Sequence, residues 1–512
     1  MADAEAKLWW FAVFSRFALF CMQLVFNSCV PDHQPDVFNP PITDRDAWTF
    51  LDSTVHTLLG GFIRWDGIYF LHIAEHGYTY ENCLAFFPLY PMLTRMLGNT
   101  VFLPLQVLLT YRSVLIISGF VLNQVLFVKT VMILYKVGQK VMNSDLLAYK
   151  AALLFCINPA SIFMSALYSE IIYSYLIFSG MHMFERNSKV SASVLFGLGA
   201  LARSNGLLYS GLIIHKKCKD TVRLLQVLYP MTKADKWSTP TALWSVIWII
   251  ILPFIIYLSL CISPFTVYQY FAYHWFCKDT PSEMHNLVFD YGIIRGYSIQ
   301  AYNSSVWCSD SLPLPYSHIQ KYHWNVGFLN YYQFKQIPNF LLATPVTLLS
   351  VSAIVYYLRL NWKTVYTLDL IEDFEELKKK DAVRKNDRGF SNRKLLPYVI
   401  HLVFLTVFGW LFTHIQILTR MLFSSSPVLC WYAARVITEE TRDDLRSEVN
   451  KWDVISNCRR KDIPALDHSK RNVLVDQILS DGQSYKSKLV FVYFIGYFVI
   501  GTFLFSNFLP WT

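Results

Sequence analysis

Arg203-Ser204-Asn205-Gly206 separates two apolar segments, 190–203 and 204–217, each short for a membrane span. The treatment of this tetrapeptide decides the topology of everything after it. As the interior of one continuous helix, it puts the lysine-rich stretch 361–394 on the lumenal side of the membrane. As a break between two half-length spans, it puts that stretch in the cytosol. Basic residues favour the cytosolic side. Five basic stretches occur: Lys129/Lys136/Lys140/Lys150, Arg186/Lys189, Lys216 to Lys236, Lys363 to Lys394 and Arg435 to Lys488. All five share one side if the pair is broken. A broken or re-entrant pair is tolerable in lipid only where its backbone is buried or lines a cavity.

The rest of the chain supports a membrane protein. Of 512 residues, 54% are hydrophobic and 16% charged, against about 25% charged in an ordinary soluble domain. Leu8–Val30, Val114–Tyr135, Leu243–Ile262, Phe340–Leu360 and Leu489–Phe508 are apolar runs of about 20 residues, enough to cross a ~30 Å hydrocarbon core as helix. The expected class is an all-α polytopic membrane protein with about eleven transmembrane helices. They are placed at 9–30, 108–135, 147–166, 169–185, 190–203, 204–217, 242–272, 337–358, 395–414, 417–435 and 488–509. The N-terminus is then cytosolic and the C-terminus lumenal. Leu8–Val30 is taken as a retained signal anchor, because Met1–Ala6 carries acids and the apolar run exceeds a signal h-region. The net charge of +9 is gathered in a few loops, which fits topology and argues against nucleic-acid binding.

Four polar segments follow within this single domain 1–512. Residues 31–107 form a large first lumenal loop and 273–336 a second. The segments 361–394 and 437–487 are charged cytosolic loops, poor in apolar periodicity. Asn303-Ser304-Ser305, the only glycosylation sequon, falls in the second lumenal loop, where Asn303 is accessible to modification. Cys277 and Cys308 share that loop and are expected to bridge in an oxidising space, with two free thiols as the alternative.

The unusual polar motifs fall on one membrane face. The first is Arg64-Trp65-Asp66-Gly67-Ile68-Tyr69-Phe70, which runs on through Glu75 to Ala85-Phe86-Phe87-Pro88-Leu89-Tyr90-Pro91. It combines a Trp65-Asp66 pair, a second acid and many aromatics, as an enzyme handling a lipid-linked sugar requires. Asp66 is the candidate general base, and a helix N-cap is its alternative role. Glu75 lies nine residues on, about 180° round a helix from Asp66. With His72 three residues before it as a pairing partner, Glu75 is assigned to architecture. Tyr168-Ser169-Glu170 follows the helix-breaking Asn158-Pro159, and Glu170 at a helix start is favoured by the dipole.

Arg203 and Arg420 are charges at membrane depth, which usually mark function or a paired partner. A guanidinium fork suits phosphate oxygens; snorkelling to water is the alternative. Asn205 accompanies the first arginine, and His414 and Gln416 precede the second. Spaced at i, i+2, His414 and Gln416 diverge in a regular helix, so one is expected to meet ligand while the other packs. Trp324 lies in the aromatic-rich Tyr316–Tyr332 stretch, which serves either to stack on sugars or as an interfacial belt. No Asp-x-Asp, His-Glu-x-x-His or paired Cys-x-x-Cys motif points to a metal.

Several blocks together resemble the PIG-V family of GPI mannosyltransferases. They are Val30-Pro31-Asp32-His33, Trp65–Pro91, Ala151–Glu170, Arg203–Gly206, Tyr322–Leu342, His414–Arg420 and Asn507–Thr512. The resemblance implies a GT-C-type fold in the endoplasmic reticulum membrane with a lumenal active site. It implies transfer of mannose from dolichyl phosphate mannose to the first mannose of a GPI precursor, through an α-1,6 link. Because the donor is β-linked, the anomeric centre inverts. One displacement then needs one base, for which Asp66 is placed, and no cofactor or metal. The implied partners are lipid-linked substrates in the membrane, and a small partner subunit stays open. Another lumenal dolichol-linked transferase and a lipid transporter are the alternative functions.

Overall fold

The computed structural model describes residues 2–34, 36–233, 244, 246–278, 284–302, 305–370, 388–438 and 485–511. Most of the two charged loops, and Asn303 of the sequon, lie outside the described residues. Helices dominate, and the only strand-like pairing among the described residues is an isolated bridge between Tyr80 and Ile299.

Among the described residues, six helices are long and apolar enough to cross a membrane: Asp3–Cys29, Tyr111–Met142, Ile247–Cys277, Phe334–Leu360, Arg393–Phe412 and Tyr485–Ser506. The other five expected spans fall on short or interrupted helices. The 147–166 span is a helix only over Asp145–Cys156, followed by the turn Ser161–Met164. Asn158-Pro159 causes the stop, since proline offers no N–H to the ladder. The 169–185 span is the helix Glu170–Glu185, whose 16 residues reach only about 24 Å. The 190–203 span is Lys189–Ala202. The 204–217 span opens as a tight turn, Ser204–Tyr209, and runs on as Ser210–Lys233. The 417–435 span is split into Leu418–Ser425 and Val428–Thr438.

Broken helices at membrane depth need partners for their freed backbone groups, and side chains supply them. At the Asn158-Pro159 break the guanidinium of Arg16, buried inside the first span, donates to Cys156 O at 2.8 Å and Ser161 O at 3.1 Å. It also reaches the hydroxyls of Ser161 at 2.6 Å and Ser165 at 3.0 Å. At the Ser426-Pro427 break, Ser174 Oγ donates to Ser424 O at 2.7 Å and the Tyr209 hydroxyl donates to Ser425 O. Arg203 is extended, with φ −155° and ψ 140°. Gly206 then folds the turn back on the preceding helix so closely that a Cβ there would lie 2.4 Å from Ala200 N. The tetrapeptide is thus a break.

The short helices form the centre. Glu170–Glu185 packs against Tyr111–Met142 and Lys189–Ala202, and the latter against Leu252–Cys277. Tyr485–Ser506 returns to lie beside the first helix, Ala2–Cys29. The 31–107 segment carries the helices Phe50–Leu59, Asp66–His76 and Leu89–Gly98. Thr49 and Asp52 close a reciprocal capping box at the first of these. Arg64 pins the segment to both chain ends. Its Nε donates to Ser506 O at 3.0 Å, its Nη2 donates to Asn27 Oδ1 at 2.6 Å, and it pairs with Asp32 at 2.8 Å.

Candidate active site

The helix that starts at Asp66 is entered through Trp65, whose φ of +52° is unusual for a side chain of that size. Such a residue costs of order 1–3 kcal/mol and persists only where its surroundings hold it. Here the Tyr168 hydroxyl accepts from Asp66 N at 3.0 Å and donates to Arg64 O at 3.3 Å. Asp66 is the first helical residue, and the N-cap position before it is Trp65, so Asp66 is not the cap. Its carboxylate accepts from Arg420 Nη1, with 2.6 Å to Oδ2.

Arg420 rises from the helix Leu418–Ser425, with its guanidinium 5.5 Å above the Phe163 ring and 5.7 Å from Tyr168. A second acid, Glu170, lies 3.7 Å from Arg420 and also pairs with Arg203. Two carboxylates and two guanidiniums therefore meet in one cluster, drawn from four separate elements. Exposure falls steadily across it: the Asp66 side chain is 30% exposed, Arg203 20%, Arg420 12% and Glu170 0%. Asp66 stands at the open side and Glu170 at the floor. Arg420 Nε and Glu170 Oε2 are buried with no protein partner.

This arrangement changes the expected role of the arginines. Neither is a bare anion site, because both are held by carboxylates. Asn205, beside Arg203, donates to Ser425 Oγ at 2.8 Å and so ties the two helix breaks together. Trp65 packs edge-on to Phe508 at 5.9 Å.

Other sequence candidates lie outside the ion cluster. Glu75 pairs with buried Arg112 and approaches His76 at 3.6 Å. His72 does not pair with Glu75 as expected; its ring bonds Thr79 Oγ1 at 2.7 Å. His414 and Gln416 do not diverge, because Ile415–Ile417 is a tight turn and not regular α-helix. Both engage Tyr331. The His414 ring stacks on it at 4.7 Å, and its hydroxyl donates to Gln416 at 3.1 Å. His414 Nε2 also bonds Trp324 O at 2.6 Å. The Trp324 ring lies 6.4 Å from that of Tyr69, one helical turn after Asp66. Cys277 and Cys308 are joined by a disulfide with 5.7 Å between Cα atoms.

Sequence reasoning missed Arg16, Arg64 and Arg112. A lone arginine within an apolar span was the available signal for the first of these. It also missed Glu81, which accepts from Ser305 Oγ at 2.6 Å and lies 3.7 Å from both His318 and His323. This group joins the 31–107 and 273–336 segments. Burial raises the Glu81 carboxyl, but hydrogen bonds led by His323 and Ser305 bring it below its ordinary value. Among the described residues no group of three or more His, Cys, Asp or Glu is placed to hold a metal ion.

Fold and site together define a multi-pass helical membrane protein with an acid–arginine cluster where its broken helices meet. The family described as Mannosyltransferase (PIG-V) matches residues 5–512, and the chain belongs to that family, which carries a GT-C-type architecture. It is 38% identical to GPI alpha-1,6-mannosyltransferase 2 of Mus musculus and 35% identical to that of Homo sapiens, in each case over 98% of this chain and 97% of the relative. It is 31% identical to GPI mannosyltransferase 2 of Drosophila melanogaster over the whole of both chains. No solved structure matches.

Proposed function

We propose that this protein transfers mannose from dolichyl phosphate mannose to the first mannose of a GPI precursor, through an α-1,6 link, at the lumenal side of the endoplasmic reticulum membrane. Membership of the mannosyltransferase family and the names of the relatives support the acceptor and the linkage. The observation that carries the chemistry is the Asp66–Arg420 pair at the more exposed edge of the cluster.

In this mechanism the acceptor hydroxyl gives its proton to the Asp66 carboxylate as its oxygen bonds to the anomeric carbon. The bond from that carbon to the phosphate oxygen breaks on the opposite face, and dolichyl phosphate departs carrying the electron pair. One displacement inverts the centre and requires a single base. The phosphate gains a negative charge in this step, and preorganised guanidiniums stabilise such developing charge most effectively where water is excluded.

The test is Asp66→Asn in membranes supplied with dolichyl phosphate mannose and a GPI precursor bearing one mannose. The amide still accepts from Arg420 but takes no proton, so transfer should fall by ~10²–10⁴-fold while protein abundance holds. Near-normal transfer removes Asp66 from the mechanism. Activity with a nucleotide sugar in place of the lipid donor removes the donor assignment.

A further inference from the structure

Glu170 is a fully buried carboxylate between two arginines, at the first position of the helix Glu170–Glu185. A buried charge is costly unless paired, and the site spends two acids on one cation. Arg420 is held from the open side by Asp66 and from the floor by Glu170. Two guanidiniums this close would repel without an acid between them, and Glu170 lies between Arg203 and Arg420. The positive end of its own helix favours its charge. With no exposure, it sits too deep to meet the acceptor hydroxyl or the anomeric carbon.

The charge changes of the transfer give this arrangement a purpose. Before transfer Asp66 is an anion and holds Arg420. As Asp66 takes the hydroxyl proton it becomes neutral and its hold on Arg420 weakens. In the same step the phosphate oxygen that leaves the sugar gains a negative charge. One cation thus loses an anion on one side as another appears, provided that something keeps it in place. We infer that Glu170 is the positioning residue of this site, holding the Arg203 and Arg420 guanidiniums side by side so that Arg420 serves the base before transfer and the leaving phosphate after it. This inference rests on the roles of Asp66 and Arg420 proposed above.

The experiment measures donor KM and kcat for the full-length protein in membranes, comparing wild type with Glu170→Gln and Glu170→Asp. Glutamine keeps the shape but leaves two cations with one anion. The anionic donor then binds more tightly while Arg420 is no longer held from the floor, so donor KM should fall several-fold as kcat falls ~10²-fold, the pattern of binding gained at the expense of the transition state. Aspartate restores the charge but withdraws it by one methylene, so donor KM should return to the wild-type value with kcat about tenfold below it. A glutamine variant with unchanged KM, whose kcat falls only in proportion to the folded protein, makes Glu170 structural and overturns the inference. If that variant does not accumulate, the aspartate variant decides: wild-type kcat, or a donor KM raised several-fold, overturns it. Failure here with Asp66→Asn inactive leaves the proposed function standing, whereas an active Asp66→Asn sinks that function first.

Discussion

Arg420 Nη1 donates to Asp66 Oδ2 at 2.6 Å across 354 residues of sequence. The pair joins a residue at the start of a helix in the first polar segment to one just before the Ser-Ser-Ser-Pro break near the end of the chain. Asp66 is therefore positioned by the fold as a whole, and changes far from it can reach it through the elements that carry Arg420, Glu170 and Tyr168.

Arg420→Lys keeps the charge and loses the planar fork. Lysine offers one point charge and cannot address Asp66, Glu170 and a phosphate in fixed directions. Donor KM should rise more than acceptor KM, and kcat should fall by ~10-fold or more. Separate titration of the two substrates checks this. Equal changes in both KM values would place Arg420 in general structure.

Arg16→Leu should destabilise the protein without altering the chemistry of the molecules that fold. The change strands Ser161 O at a helix break inside the core and leaves Cys156 O only the long contact from Ser161 Oγ at 3.5 Å, at a cost of about 1–3 kcal/mol for an unsatisfied group. A lower thermal unfolding temperature in detergent, with kcat per folded molecule unchanged, is the expected result. Full stability would show that other groups satisfy the break.

Loss of the Cys277–Cys308 disulfide, which closes a separation of 31 residues, should cost ~3–4 kcal/mol. Cys277→Ser, Cys308→Ser and the double variant should melt at the same temperature, because any one of them removes the whole bond. Additive losses in the double variant would mean that each thiol stabilises on its own.

Asp52 has a pH signature. Burial pushes its carboxyl up, but hydrogen bonds from Ser113, Thr49 and Thr110 outweigh this and hold it below the ordinary carboxylate range. The folded protein thus favours the charged form more than the unfolded chain does. The resulting stability is complete above about pH 4 and is lost only as pH falls through the lower folded value. Asp52→Asn should unfold at a lower temperature than wild type at pH 7 and equally so at pH 5, with the gap closing below about pH 4. A gap that closes between pH 7 and 5 would assign the effect to another group.

Much of this protein is decided locally. Apolar runs of membrane length set the long helices, because an unpaired backbone in lipid leaves no alternative to helix. Proline and glycine marked the breaks at Asn158-Pro159 and Arg203–Gly206, since a missing N–H and a missing Cβ act wherever they occur. The Trp65-Asp66 pair, Glu170 and the two membrane-depth arginines stood out as polar groups in apolar surroundings. Their partners did not. Asp66 and Arg420, or Glu170 and Arg203, meet only when four elements fold together, and an ion pair leaves no periodic trace in either strand of sequence. The divergence expected of His414 and Gln416 rested on regular helix, and the tight turn at Ile415–Ile417 brought both to Tyr331. His72 turned to Thr79 because Arg112, from a separate helix, was the stronger partner for Glu75. Sequence by itself determined which groups are too polar for where they lie. The tertiary structure decided which of them satisfy one another, because that depends on distances closed by packing between segments hundreds of residues apart.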